Sequence, residues 1–379
     1  MRKQIDLFKV YMSSRAGEAA SKVLSSGFIG QGPVVNEFEA ALRLRFSQDH
    51  LVTLNSGTSA LHLALHLIKT KLGLDQNSEV LTTALTCTAT NWPILANGLK
   101  IKWVDIDPST LNMDLADLES KITENTRVIM VVHWGGYPND LDQLSQIQDR
   151  CEQRFGFRPF IIEDCAHSFG SSYKGRMVGT SGPNFCAFSF QAIKHFTTVD
   201  GGMLTIPKDT DFEKRARLIR WYGIDRESNR KDFRCEEDIP EWGYKFHMND
   251  VNASIGLCNL QEVDEVIAKH KRNAEFYDKE LDNVPGLQLL KREKGFDSSF
   301  WIYSMLVEDR ESFMRSMKDR NIIVSQVHER NDKHTCVSHF KTHLKNLEKT
   351  ISQVISIPVG WWVTPEDAQY VVESIKQGW

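Results

Sequence analysis

Seven cysteines in 379 residues are too few and too scattered for a disulfide framework. Cys87, Cys151, Cys165, Cys186, Cys235, Cys258 and Cys336 are odd in number, and no Cys-x-x-Cys pair occurs among them. Neither a zinc nor any other metal site is indicated. No apolar run approaches the length of a transmembrane span. Arg2 and Lys3 are followed by no apolar core, so a secretory signal is not expected. No charge of one sign dominates. There are 46 basic and 50 acidic residues, a net charge of −4, which speaks against nucleic-acid or membrane-surface binding. Repeats and low-complexity stretches are absent. No Gly-x-Gly-x-x-Gly turn follows the first strand, which argues against a nicotinamide-binding Rossmann protein. What remains is the profile of a cytoplasmic enzyme with reduced thiols, long enough for one large domain and a smaller one.

Strand and helix patterns alternate over the first two thirds of the chain. Helices are predicted at 16–24, 35–46, from 60 onward and near 91–96. Val52-Thr53-Leu54, Val80-Leu81 and 100–104 read as strands. The continuous apolar runs at 128–132 and 159–162 suit strands covered on both faces. Strands at 185–190 and 202–206 follow. This predicts an α/β fold: a large three-layer domain with a mainly parallel mixed sheet over 1–262. A long charged helix at 263–281 opens a smaller α+β domain over 263–379. Within it 299–307 and 322–324 read as strands and 309–320 as a helix.

Three features carry chemistry. Lys194 stands in Ser189-Phe190-Gln191-Ala192-Ile193-Lys194, between apolar residues and Gly201-Gly202. Apolar surroundings lower an amine's pKa and favour the nucleophilic form. Asp164 directly follows the strand Phe160-Ile161-Ile162, and Glu163 is expected on the opposite face. Ser56-Gly57-Thr58 opens a helix, where N–H groups suit an anion, although such starts are often simple caps. A lysine amine, a carboxylate and phosphate donors are what pyridoxal phosphate requires. His167, three residues after Asp164, reads either as a donor to the cofactor's phenolate oxygen or as a hydrogen-bonded core histidine. His195 is expected to point away from the site, and Trp92 into the core.

Taken together, these residues resemble the DegT/StrS-type sugar aminotransferases, fold-type-I pyridoxal phosphate enzymes of the aspartate-aminotransferase type. The resemblance runs from Gly32-Pro33-Val34-Val35 through Asn55-Ser56-Gly57-Thr58 and Val104-Asp105-Ile106-Asp107-Pro108. It continues through Glu163-Asp164-Cys165-Ala166-His167 and the lysine segment to Gly243-Tyr244-Lys245-Phe246-His247-Met248-Asn249-Asp250 and Val327-His328. It implies that Lys194 forms the Schiff base and later moves protons, and that Asp164 pairs with the pyridine nitrogen. Gly57, Thr58 and Ser189 would hold the phosphate, and His167 would stand near the phenolate oxygen, where glutamine is often found. It also implies a homodimer in which the 243–250 segment reaches the partner's cofactor phosphate. Four positions depart from the family pattern. Lys245 replaces asparagine, His247 replaces arginine, Asp200 replaces glutamate, and Cys87 stands near where a cofactor-stacking aromatic belongs.

The activity so implied moves an amino group from L-glutamate, through pyridoxamine 5′-phosphate, to a nucleotide-linked keto-deoxysugar. The position expected is C4 of a 4-keto-6-deoxy sugar, in amino-sugar, polysaccharide or O-antigen biosynthesis. Candidate sugar-nucleotide contacts are Arg220, Tyr222, Arg226, His247, His328, Arg330, Asn331 and His334, although Arg217, Arg220 and Arg226 also fit a charged helix face. A nucleotide-sugar 3-dehydratase is the enzyme alternative. Those enzymes resemble the aminotransferases but carry histidine in place of the lysine, and Lys194 favours transamination. A non-catalytic regulatory protein that binds the cofactor is the other alternative.

Overall fold

The computed structural model describes residues 3–180, 182–208, 211–226 and 238–379. Cys235 and the first two residues lie outside that set. Seven strands form the main sheet: β1 (Leu51–Leu54), β2 (Glu79–Thr83), β3 (Lys100–Val104), β4 (Thr126–Val132), β5 (Phe160–Asp164), β6 (Phe185–Ser189) and β7 (Gly202–Thr205). Their spatial order is β1-β7-β6-β5-β4-β2-β3. β7 runs antiparallel to both its neighbours, and the other pairs are parallel. The C-terminal ends of β1, β5 and β6 therefore share one edge. That edge carries Ser56, Asp164 and Ser189, where ligands of open α/β sheets bind. The chain is a mixed α/β fold, as its sequence predicts.

Helices cover both faces: α1 (Ala16–Ser26), α2 (Pro33–Phe46), α3 (Gly57–Leu72) and α4 (Thr88–Ala96) among them. Pro33 starts α2 at a position where a missing N–H costs nothing. Ser56 caps α3 by accepting from the Ser59 N–H. A second three-stranded sheet holds β8 (Leu287–Leu289), β9 (Tyr303–Val307) and β10 (Val354–Ile357), in the order β8-β9-β10. Its apolar cluster also takes Ile5 from the N-terminal segment. Conversely Val337, Leu344 and Leu347 pack with the main core.

Two sequence expectations change. The strand expected over 299–307 begins only at Tyr303, because Phe300 has a positive φ of 50° and Ser299 donates its N–H to Ser171. A regular ladder does not pass through that conformation. Ile322 to Val324 makes no strand, only isolated bridges nearby at Ile5–Ile322 and Ser325–Ser356. The helix Leu141–Phe155 was not anticipated. It buries Leu144, Ile147 and Cys151 on a mainly polar helix.

Candidate active site

A cleft of about 820 Å³ opens at the C-terminal edge of the sheet. It brings together Ser56, Gly57, Thr58, Cys87, Asp164, His167, Ser189, Lys194 and His328. Residues more than 270 positions apart thus meet, which no local pattern shows.

Lys194 is half-buried, with its Nζ 3.4 Å from the centre of the Trp301 ring. Burial lowers its pKa to about 8, against the pull of Asp164 and Cys87. About a tenth of the amine is then neutral at pH 7, far more than for an ordinary lysine. Asp164 is the last residue of β5 and is buried. Burial raises its carboxyl, while the Thr90 hydroxyl, the Ala166 N–H and Lys194 act in the opposite direction. Glu163 faces away from this site, as alternation requires, and accepts from His133 and Asn184.

At the start of α3, a Cβ on Gly57 would lie 2.8 Å from Ser189 Cβ, so only glycine lets these two loops meet. Gly202 plays the same part beside Ser56, where a Cβ would sit 2.4 Å from the carbonyl oxygen. The free N–H groups of a sixteen-residue helix and the exposed Thr58 hydroxyl border the cleft there.

His167 is fully surrounded. Its Nδ1 accepts from the Gly135 N–H at 3.3 Å, which assigns the proton to Nε2. Nε2 lies 3.4 Å from His328 Nε2, and the two rings are parallel. Burial and the nearby Lys194 hold His167 well below the usual histidine range and His328 at about 3. Both imidazoles are neutral. Trp301 stacks on His167 at 4.0 Å and on Phe8 at 5.4 Å, and its Nε1–H donates to Ile193 O. Phe8, Thr90 and Trp301 escaped the sequence reading. Trp301 was hidden inside an expected strand, and Phe8 lies in a segment with no motif.

The other candidates sit elsewhere. Arg220 is corrected: its guanidinium is buried and donates to Glu39 at 2.5 Å and to Thr53 O. It holds α2 against β1 and has no hydrogen-bonding face toward the cleft. Asn331 is also corrected. It is buried, donates to Thr86 O and accepts from Asn91, joining the 331 segment to α4. Arg330 forks onto Asp332, and His334 meets Trp92 edge-on. Trp92 itself packs against the main core. Tyr222, Arg226 and His247 gather around Trp221, outside the cleft, and Lys245 is exposed beside them. His195 points away, toward Phe169 O and Ser299. None of the six described cysteines is disulfide-bonded, and Cys87 is half-buried at the cleft.

A weakly basic lysine, a buried carboxylate and a glycine-tight helix start in one cleft fit a cofactor with an aldehyde, a basic ring nitrogen and a phosphate. The donor set therefore suits pyridoxal 5′-phosphate. Residues 11–376 match the DegT/DnrJ/EryC1/StrS aminotransferase family. The crystal structure of AtS13 from Actinomadura melliaura is 50% identical, with a TM-score of 0.96 over 100% of both chains. That of the sugar aminotransferase CalS13 from Micromonospora echinospora is 47% identical, with a TM-score of 0.94 over 99% of this chain and 100% of the other. The UDP-4-amino-4-deoxy-L-arabinose–oxoglutarate aminotransferase of Shewanella sediminis is 29% identical over 95% of this chain and 94% of its own. Solved sugar aminotransferases of this kind include PLP and PMP forms. Among the described residues, no helix is long and apolar enough to cross a membrane.

Proposed function

The chain belongs to the DegT/DnrJ/EryC1/StrS aminotransferase family and is a pyridoxal phosphate-dependent sugar aminotransferase, and on that premise we propose that it moves the amino group of L-glutamate to C4 of a nucleotide-linked 4-keto-6-deoxy sugar. The observation that carries the reading is the shared cleft of Lys194, Asp164 and the α3 N-terminus. The name of the Shewanella relative pairs a 4-amino-4-deoxy sugar with oxoglutarate, the 2-oxo acid that glutamate becomes. That pairing supports both the carbon and the donor. The apolar wall of Leu61, Ile323 and Trp301 supports a deoxy sugar, whose methyl group needs no hydrogen-bond partner.

When bound, pyridoxal phosphate supplies a carbonyl that exchanges amines and a ring that takes up electron density. Lys194 Nζ takes a proton from the donor's α-carbon and returns it on the other side of the exchange, a role that a pKa of about 8 suits. Asp164 holds positive charge on the ring nitrogen. Ser56, Gly57, Thr58 and Ser189 bind the phosphate, and His167 Nε2–H donates at the rim. In a homodimer, Lys245 and His247 reach the partner's site, with Tyr222 and Arg226 toward the nucleotide. The protein works in the cytoplasm, as two domains divided near residue 262.

Two measurements test this. Borohydride reduction followed by peptide mapping is expected to label Lys194 alone, and a label on another amine overturns the reading. Incubation with glutamate and a panel of 4-keto-6-deoxy sugar nucleotides is expected to give an aminated product and 2-oxoglutarate. A deoxygenated product would instead mark a dehydratase.

A further inference from the structure

Asp164 is the end of a buried chain of hydroxyls. The Thr90 Oγ1 lies 2.7 Å from Asp164 Oδ2, and the Thr86 Oγ1 lies 2.8 Å from Thr90 Oγ1. The second carboxylate oxygen, Oδ1, accepts the Ala166 N–H at 3.0 Å. Thr86, Thr90 and Asp164 are all buried.

The direction of the chain follows from donor counting. An ionised carboxylate only accepts, so the Thr90 hydroxyl proton points at Asp164. Thr90 has then no proton left, and the contact with Thr86 requires the Thr86 O–H to donate. The order is Thr86 to Thr90 to Asp164. Each carboxylate oxygen takes one fixed donor, which sets the plane of the carboxyl and leaves lone pairs for a donor in the cleft. The hydroxyl of Thr90 is itself held by a rigid element. The next residue of α4, Asn91, accepts from Thr82 and donates to Thr83 O on β2 and to Asn331.

We propose that Thr90, backed by Thr86, is a positioning residue that keeps Asp164 ionised and aimed at the pyridine nitrogen of the cofactor. The proposal rests on Asp164 being that nitrogen's partner. Burial alone pushes the Asp164 carboxyl up, and donation from Thr90 works against it. A carboxyl that kept its proton would offer the ring nitrogen no negative charge. An apolar group of the same shape at position 90 removes the donation without opening a cavity. The carboxyl then gains basicity and competes with the ring nitrogen for its proton, so the opposite charges that hold the pair together are lost.

The test uses the full chain, stripped of cofactor and titrated with pyridoxal 5′-phosphate by protein fluorescence, with the pH dependence of the bound cofactor's visible absorbance as a second readout. Thr90→Val is expected to weaken binding about tenfold, the scale of one hydrogen bond to a charged group. The absorbance titration is expected to shift with it, and Thr90→Ser to restore both. Thr86→Val, which acts one bond further out, is expected to weaken binding about two- to threefold. Adding Thr90→Val to Asp164→Asn is expected to change nothing beyond Asp164→Asn alone, because the threonine acts only through the carboxylate. If Asp164→Asn weakens binding while Thr90→Val leaves both readouts at wild-type values, the inference is wrong and the role of Asp164 stands. If the two substitutions add in the double variant, Thr90 acts by general packing and the inference is again wrong. If Asp164→Asn itself binds and titrates as the wild type does, the reading of Asp164 fails first. Should Thr90→Val not fold, Thr86→Val carries the test, and wild-type behaviour there overturns the chain.

Discussion

At the scale of single residues, the proposed chemistry rests on an amine made less basic by its surroundings. Burial lowers the Lys194 amine to about 8 even though an aromatic face lies 3.4 Å from it. In the cofactor-free protein, the rate at which an amine-directed reagent modifies Lys194 is therefore expected to rise with a midpoint near pH 8. Mass spectrometry of the labelled peptide across pH checks this, and a midpoint near the ordinary lysine value would refute it. Asp164 raises the amine's pKa by its charge, so Asp164→Asn should move the midpoint lower. Trp301→Leu should also move it lower, since an ammonium over an indole face gains about 0.5–2 kcal/mol that the neutral amine does not. That Lys194 would share a site with Asp164 was expected from its sequence neighbours. The contact with Trp301 was not, because it reaches Lys194 from 107 positions away, across a positive-φ residue at Phe300.

At the scale of elements, the site depends on how firmly α2 and β1 are joined beneath it. Glu39 on α2 is buried and accepts from Arg220, Arg217, Arg43 and the N–H and hydroxyl of Thr53. Burial by itself would raise the Glu39 carboxyl, but Arg220 and Arg217 bring it down to about 2. Glu39→Gln leaves the Arg220 charge buried without an anion. Urea unfolding is expected to show a loss of about 3–5 kcal/mol. Glu39→Gln combined with Arg220→Met should recover part of that loss, and a single variant as stable as the wild type would refute the account. The sign with pH is fixed by the lowered value. The contribution is complete above the ordinary glutamate range and is lost as pH falls toward 2. Arg220 shows why charged residues near a motif mislead. A guanidinium read as a sugar-nucleotide contact or a charged helix face is, in the fold, the counter-ion of a buried carboxylate.

At the scale of the whole molecule, burial lowers the pKa of seven described histidines: His62, His66, His167, His195, His247, His270 and His328. Burial lowers His195 to about 3, with His270 adding to it, and lowers His270 and His328 to about 4 and 3. His167 shifts in the same direction. Each takes up its proton near pH 6.5 when unfolded, so the unfolded chain binds more protons below that value. Stability is expected to fall as pH drops below 6.5, with a slope that steepens as the unfolded chain takes up those protons. Thermal melts from pH 7.5 to 4.5 check this, and a melting temperature that is flat across the range would contradict it. His195→Phe should flatten the profile without touching the cleft, because its ring faces Phe169 and Ser299.

Sequence alone determined the alternation of strands and helices, the strand-end aspartate, the lysine and the glycine-bearing helix start. These are local signals: apolar runs, caps, and residue types with only one common use in company. Tertiary structure alone decided which candidates share a cleft. It placed His328, Trp301 and Phe8 around Lys194, withdrew Arg220 and Asn331 into buried contacts, and gave Thr90 its partner. The reason is physical. Periodicity and spacing act over a few residues, whereas the neighbours of a side chain at a sheet edge are set by strand order, and β6 comes to lie between β5 and β7 only when the whole sheet forms.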